Sequence, residues 1–405
     1  MQIRPATDQD LDVFVDTLHA AFGLFPETPV DGGGLWWSAL ETDRCLLAST
    51  ADGRPVGTAA TYSFELTLPG GTVVPAGGLT AVGVLPTHRR QGVLGAMMRQ
   101  HLADLRARGE SAAVLLSSEA PIYGRFGYGP ATYTSKLTLT RHEAALALPR
   151  ARGAAPAPET GSVEVMRRDG CGDLLEEVYD RYRRAQPGAL SRPHRWWELR
   201  AGQAPLSPAR RYIAVHRDSD GAPDGYASYA VESGTLTVDE IITTDDAVFT
   251  ALVTYVLGHD LVSKVVLRHV PADHPLRWQL ADFRAAEVSG VTDWLWVRLL
   301  DVPGALTARG WEADGELVLD VDDPFLGEHG RYLLTVRDCK ADCAPTDRAP
   351  DLSLDIRDLG SLYLGGTAPS TLVRAGHVTA HHPGAAARAD TLFRTERAPH
   401  CLHWF

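Results

Sequence analysis

Apolar residues fall at two spacings along the chain, and the alternation between them predicts a mixed α/β order. Near the N-terminus Thr7 precedes Asp10 by three positions, a capping-box arrangement. Leu11, Val15, Leu18 and Phe22 then recur at helical spacing and predict one buried helical face. Residues 46–48, 56–68 and 72–84 are β-branched and apolar runs, separated by turns at Asp52-Gly53 and Pro69-Gly70-Gly71. A helix is predicted from about Gly92, with Leu94, Met98, Leu102 and Leu105 inward. Arg106, Arg108 and Gly109 mark its end. Residues 112–117 form a further buried strand.

The idiom recurs more loosely downstream. Residues 171–185 and 246–258 are predicted helical, and 212–216 and 225–231 extended. Strand-like runs at 317–321 and 332–337 precede an apolar stretch at 359–364. An Ala-, Pro- and Gly-rich seam at 149–161 and a break at Asp301-Val302-Pro303-Gly304 predict three segments: 1–150, 160–300 and 301–405.

The chain has 405 residues, enough for two or three domains at ~150 each, and 44% of them are hydrophobic, which excludes wholesale disorder. The 51 acids outnumber the 39 bases, giving −12, so the basic face of a nucleic-acid binder is not expected. No apolar run reaches the ~18 residues of a membrane-spanning helix. MQIRPATDQD lacks the apolar core of a signal peptide. The odd, sparse cysteines (Cys45, Cys171, Cys339, Cys343, Cys401) fit a reducing compartment, so a cytoplasmic protein is expected. Cys339 and Cys343 have no histidine pair at zinc-ligand spacing nearby, and no metal is expected.

The sharpest chemical signal is Val82-Gly83-Val84-Leu85-Pro86-Thr87-His88-Arg89-Arg90-Gln91-Gly92-Val93-Leu94-Gly95. It reads as a strand, a turn and a glycine-bearing loop that opens a helix. The first amides of a helix converge and carry partial positive charge, a ready seat for a pyrophosphate. The bland reading is a surface turn with two solvated arginines. A second signal argues against it: Ser118-Glu119 ends the next strand, and Ile122-Tyr123-Gly124-Arg125-Phe126-Gly127-Tyr128-Gly129 follows within one βαβ-sized unit. A phenol there can donate a proton to a departing thiolate.

The loop resembles the acetyl-CoA motif of the GNAT N-acetyltransferase superfamily, Arg/Gln-x-x-Gly-x-Gly/Ala, with Leu94 departing at the last place. Residues 241–258 lack the Arg–Gly loop, so a second GNAT-like domain without cofactor is expected. Over nearly its full length the chain resembles the enhanced intracellular survival (Eis) family. The matching text is Ala81-Val82-Gly83-Val84, Pro86-Thr87-His88-Arg89-Arg90, Ile122 to Pro130, Val302-Pro303-Gly304-Ala305-Leu306, Gly360-Ser361-Leu362-Tyr363-Leu364-Gly365 and a terminal Phe405.

The resemblance implies an α/β (α+β) protein: two GNAT domains, the second degenerate, and a sterol-carrier-protein-like third. It implies acetyl-CoA-dependent transfer to primary amines of small molecules, in the best-known case aminoglycoside antibiotics, by a homo-hexamer. Acetyl-CoA contacts map to Val82, Gly83, Val84, Arg89, Arg90, Gln91, Gly92, Val93, Leu94, Gly95, Ser118 and Glu119. Tyr123 maps to the proton donor, and the Phe405 carboxylate to the group that handles the amine. Trp36, Trp37 and Trp404 would line the substrate pocket, with core packing the alternative for Trp36 and Trp37. Trp404 stands where some members carry an acid, which speaks against a strongly anionic pocket. Acetylation of a protein lysine or N-terminal amine, and a non-catalytic ligand-binding scaffold, are the alternatives.

Overall fold

The computed structural model describes residues 1–23, 39–146, 161–198 and 211–405. They form three sheets. The first runs in the order Gln2–Pro5, Leu46–Ser49, Pro55–Thr67, Val73–Val84, Ala112–Leu116, Leu295–Leu299, Gly129–Pro130. The second runs Ala286–Asp293, Tyr133–Thr140, Lys264–Pro271, Thr235–Thr243, Pro223–Glu232, Tyr212–Arg217, Ser162–Arg167. The third, of five strands, is built within residues 315–380.

The first two sheets exchange strands. Tyr133–Thr140 leaves the N-terminal segment and pairs with Lys264–Pro271 and Ala286–Asp293. Leu295–Leu299, from the far end of the middle segment, pairs antiparallel with Ala112–Leu116. Cutting the chain near residue 150 therefore separates strands from their sheets.

The Thr7–Asp10 capping box forms, with the Thr7 amide 2.9 Å from an Asp10 carboxylate oxygen. The helix behind it, Leu11–Phe22, buries Phe14, Thr17, Leu18 and Ala21, whereas Phe22 is exposed. The expected face is thus rotated. The close approach is made at Gly83, where a Cβ would lie 2.9 Å from the Ala21 Cβ. The helix Val93–Ala107 covers the other side of the sheet through Val93, Met97, Met98, Leu102 and Leu105. The face that carries the first helix also joins the third domain, in one core containing Tyr62, Phe64, Val297, Leu319, Leu359 and Phe405. Among the described residues no helix is long and apolar enough to cross a membrane.

Candidate active site

Val73–Val84 pairs in parallel with Ala112–Leu116 from Ala76↔Ala112 only as far as Leu79↔Leu115. Beyond Leu79 the strand continues for five residues with that edge unpaired. Its other edge stays paired to Pro55–Thr67 through a bulge, where Ala81 takes φ +50° and its carbonyl accepts from the Thr58 hydroxyl at 2.9 Å. A non-glycine residue in the left-handed region stores strain of about 1–3 kcal/mol, held by its surroundings. The result is a splayed notch whose wall is the backbone at Thr80 to Val84, with Val82 and Val84 half-buried.

The loop after the notch turns through Arg90 (φ +61°) and Gly92 (φ +83°) into Val93–Ala107. No side chain caps this helix, and no acid stands in its first turn. The first intrahelical bond there is donated by the Ala96 amide to Gly92. The amides of Gly92, Val93, Leu94 and Gly95 are therefore open for an anion. Arg90 and Gln91 are exposed beside them, and Gln91 donates to the Thr87 carbonyl at 3.1 Å. Gly95 has only Arg99, at 3.8 Å, near its missing Cβ; Leu94 is half-buried against the core.

Arg89 faces another way. Its guanidinium donates to the carbonyls of Ala21, at 2.9 Å, and Val84, at 3.3 Å, so it ties the end of the first helix to the strand. Gly83 likewise serves close packing. Ser118 and Glu119 are exposed at the end of the next strand, and the buried Ser117 hydroxyl beside them has no hydrogen-bond partner among the described residues.

Tyr123 ends the short helix Ala120–Tyr123 and is buried in the cluster of Leu79, Val93, Met97 and Leu115, on the helix side of the notch. Its hydroxyl hydrogen-bonds to no other described residue. Burial, and secondarily the charge of Glu119, push its pKa up to about 12. Behind it the ring of Tyr128 lies 6.3 Å away, and the Tyr128 hydroxyl meets His101 at 3.1 Å. His101 reaches Thr61 with its other ring nitrogen at 3.0 Å. Burial lowers its pKa to about 3, leaving it neutral.

The chain end approaches from the opposite face. The Phe405 ring packs on Phe64 (4.8 Å between centroids) and Tyr62 (6.5 Å), beside Gly78. Gly78 directly precedes Leu79, where the pairing stops. Trp404 is exposed, while the fully buried His403 stacks edge-on against Trp196 and Phe64. Trp36 and Trp37 lie outside the described residues.

The middle domain repeats the splay without the amide seat. Thr235–Thr243 pairs in parallel with Lys264–Pro271 only through Val238↔Leu267. At the following helix, Asp246–Leu257, the Asp245 carboxylate accepts from the amides of Ala247 and Val248. The chain's own anion fills the place a phosphate would take. Gln186, Trp294 and Arg298 carry no local sequence signal, because each makes a contact more than a hundred residues away.

The chain is similar to known proteins over its full length. Residues 2–131 and 188–299 each match an acetyltransferase (GNAT) domain, and 302–402 a sterol carrier protein domain. The chain is 36% identical to an uncharacterized N-acetyltransferase of Streptomyces avermitilis, over 100% of this chain and 99% of that one. It is 34% identical to N-acetyltransferase Eis of Mycobacterium tuberculosis, over 89% of each. The crystal structure of Eis1 from Mycobacterium abscessus superposes with a TM-score of 0.87 at 33% identity, covering 100% of both chains.

Proposed function

We propose a mechanism for this chain from the premise that it belongs to the Eis N-acetyltransferases of the GNAT superfamily: direct transfer of acetyl from acetyl-CoA to a small primary amine. The supporting observation is that Tyr123 and Phe405 come to opposite faces of one strand, Val73–Val84, where its pairing stops. The open amides of residues 92–95, the absence of acid beside them and the glycine at φ +83° suit a pyrophosphate. When bound, acetyl-CoA supplies the activated acyl group.

The amine nitrogen forms its bond to the acyl carbon as the carbon–sulfur bond breaks. The C-terminal carboxylate of Phe405 attracts the cationic amine, orients it and takes its proton. The unpaired backbone near Val84 offers an amide to the oxygen that gains charge, a contact worth about 3–4 kcal/mol in comparable sites. Tyr123 is held protonated across the physiological range, so it always has a hydrogen to donate. A phenol at about 12 is a weaker acid than an ordinary thiol near 8.5. Its contribution is a hydrogen bond to the departing sulfur, with the proton exchanged as the thiol leaves.

The test is thiol release from acetyl-CoA across aminoglycosides, polyamines, arylalkylamines and lysine peptides. Turnover with a small amine, reduced ~10²-fold or more by Tyr123→Phe at unchanged acetyl-CoA affinity, is expected. Unchanged turnover in that variant removes Tyr123 from the chemistry, and turnover of peptides alone replaces the substrate class.

A further inference from the structure

The middle domain has no amide seat for a cofactor, yet its loop at residues 186–191 touches both the chain end and the first sheet. Toward the chain end, Gln186 Nε2 donates to the Ala398 carbonyl at 3.0 Å, and Pro187 accepts from the His400 amide at 2.8 Å. Gly188 takes φ +85°, and a Cβ there would stand 3.2 Å from the His400 nitrogen and 3.3 Å from the Pro399 Cβ. Toward the first sheet, the Gly188 amide donates to Thr67, the Thr67 amide to Ala189, and the Ser191 amide to Glu65, at 2.8–3.0 Å. The loop is in effect an extra strand on Pro55–Thr67. That strand carries Tyr62 and Phe64, the rings on which Phe405 rests.

Other contacts of the middle segment lock the same stretch. Asp273 accepts from the Ala398 amide at 2.7 Å, and Leu402 enters the core of Leu175, Tyr179 and Tyr182. The Trp294 indole donates to the His403 carbonyl at 3.4 Å. A free chain end normally frays, and ordering it costs about 1–2 kcal/mol per residue. A carboxylate that must meet an amine within tenths of an ångström needs such support.

We propose that residues 186–191 are a clamp through which the cofactor-less domain sets the position of the C-terminal carboxylate, with Gln186 and Trp294 as positioning residues. This rests on the reading of Phe405 given above. The Gln186 amide contacts the chain end at the Ala398 carbonyl, so its effect on the reaction is expected to pass through Phe405.

The experiment is a double-mutant cycle: the full-length enzyme, Gln186→Ala, deletion of Phe405, and both together, each measured for kcat, acetyl-CoA affinity and Tm. Gln186→Ala is expected to lower kcat tenfold or more at unchanged acetyl-CoA affinity, and to have no further effect once Phe405 is gone. An equal factor lost in both backgrounds, or no loss in either, overturns the clamp. Wild-type turnover after deletion of Phe405 instead overturns the role of the carboxylate. Should Gln186→Ala fail to fold, Trp294→Phe, which keeps an aromatic ring but loses the N–H donor, runs through the same cycle with the same criteria.

Discussion

The ring of Phe405 lies over Gly78: a Cβ on that glycine would stand 3.0 Å from the Phe405 Cε2 and well inside contact distance of the Phe64 ring. The terminal residue of the chain thus fits against bare backbone in the strand that carries the notch. Gly78→Ala should push both rings aside. Overpacking of this kind costs about 1–3 kcal/mol, so Tm should fall by several degrees. The kcat should fall tenfold or more, because the carboxylate moves with its ring, while acetyl-CoA affinity holds. Wild-type kcat in a folded Gly78→Ala would show that the ring's seat does not set the reacting geometry.

The amide seat was legible because it is local. Strand, turn, left-handed glycine and helix follow one another within fourteen residues, and each is demanded by backbone chemistry. The capping box at Thr7 was legible for the same reason. The buried face of Leu11–Phe22 was not: Phe14, Thr17, Leu18 and Ala21 also fall at helical spacing, and the close approach at Gly83 favours that face over the overlapping one. Nor does periodicity name a strand's partner, so the exchange of Tyr133–Thr140 and Leu295–Leu299 was invisible. Nor does the motif's spacing predict that Arg89 donates to the Ala21 and Val84 carbonyls, 68 and 5 residues away.

The open amides make a sharper prediction at Gly92. Its φ of +83° strains any side chain, and an acid there would set negative charge among the open amides. Gly92→Glu should weaken acetyl-CoA binding by at least a hundredfold in calorimetry. Gly92→Ala, which carries the strain without the charge, should weaken it less. Equal affinity for all three proteins would mean that the pyrophosphate sits elsewhere.

Buried neutral histidines should make the fold acid-sensitive. Burial lowers both His101 and His400 to about 3, against 6.5 in the unfolded chain. Between those values the unfolded state binds protons that the folded state refuses. Stability is therefore full above pH 6.5 and drains away as the pH falls toward 3. His101→Gln retains a donor and an acceptor for Thr61 and Tyr128 but cannot be protonated. It should flatten the loss of unfolding free energy below pH 6.5 by up to about 1.4 kcal/mol per pH unit. Urea denaturation at pH 5, 6 and 7 measures the slope, and identical slopes in the two proteins would mean that folded His101 binds protons as the unfolded chain does.

A single guanidinium joins the loop of Tyr123 to the other modules. Arg298, fully buried on the exchanged strand, donates to the Phe126 carbonyl at 2.6 Å and pairs with Asp323 at the end of a third-sheet strand. Arg298→Met should destabilise by about 3–5 kcal/mol, because the Asp323 carboxylate is left buried with the Leu326 amide but without a counter-charge. Arg298→Met with Asp323→Leu removes that orphan charge and should recover most of the stability, since buried ion pairs are often replaceable by apolar packing. It should not recover turnover. The Phe126 carbonyl is still released, and the loop that carries Tyr123, three residues before it, is expected to shift. Denaturation and kcat, measured on both variants, separate the two effects. If stability and turnover return together, Arg298 serves the fold alone and the Tyr123 loop needs no anchor from it.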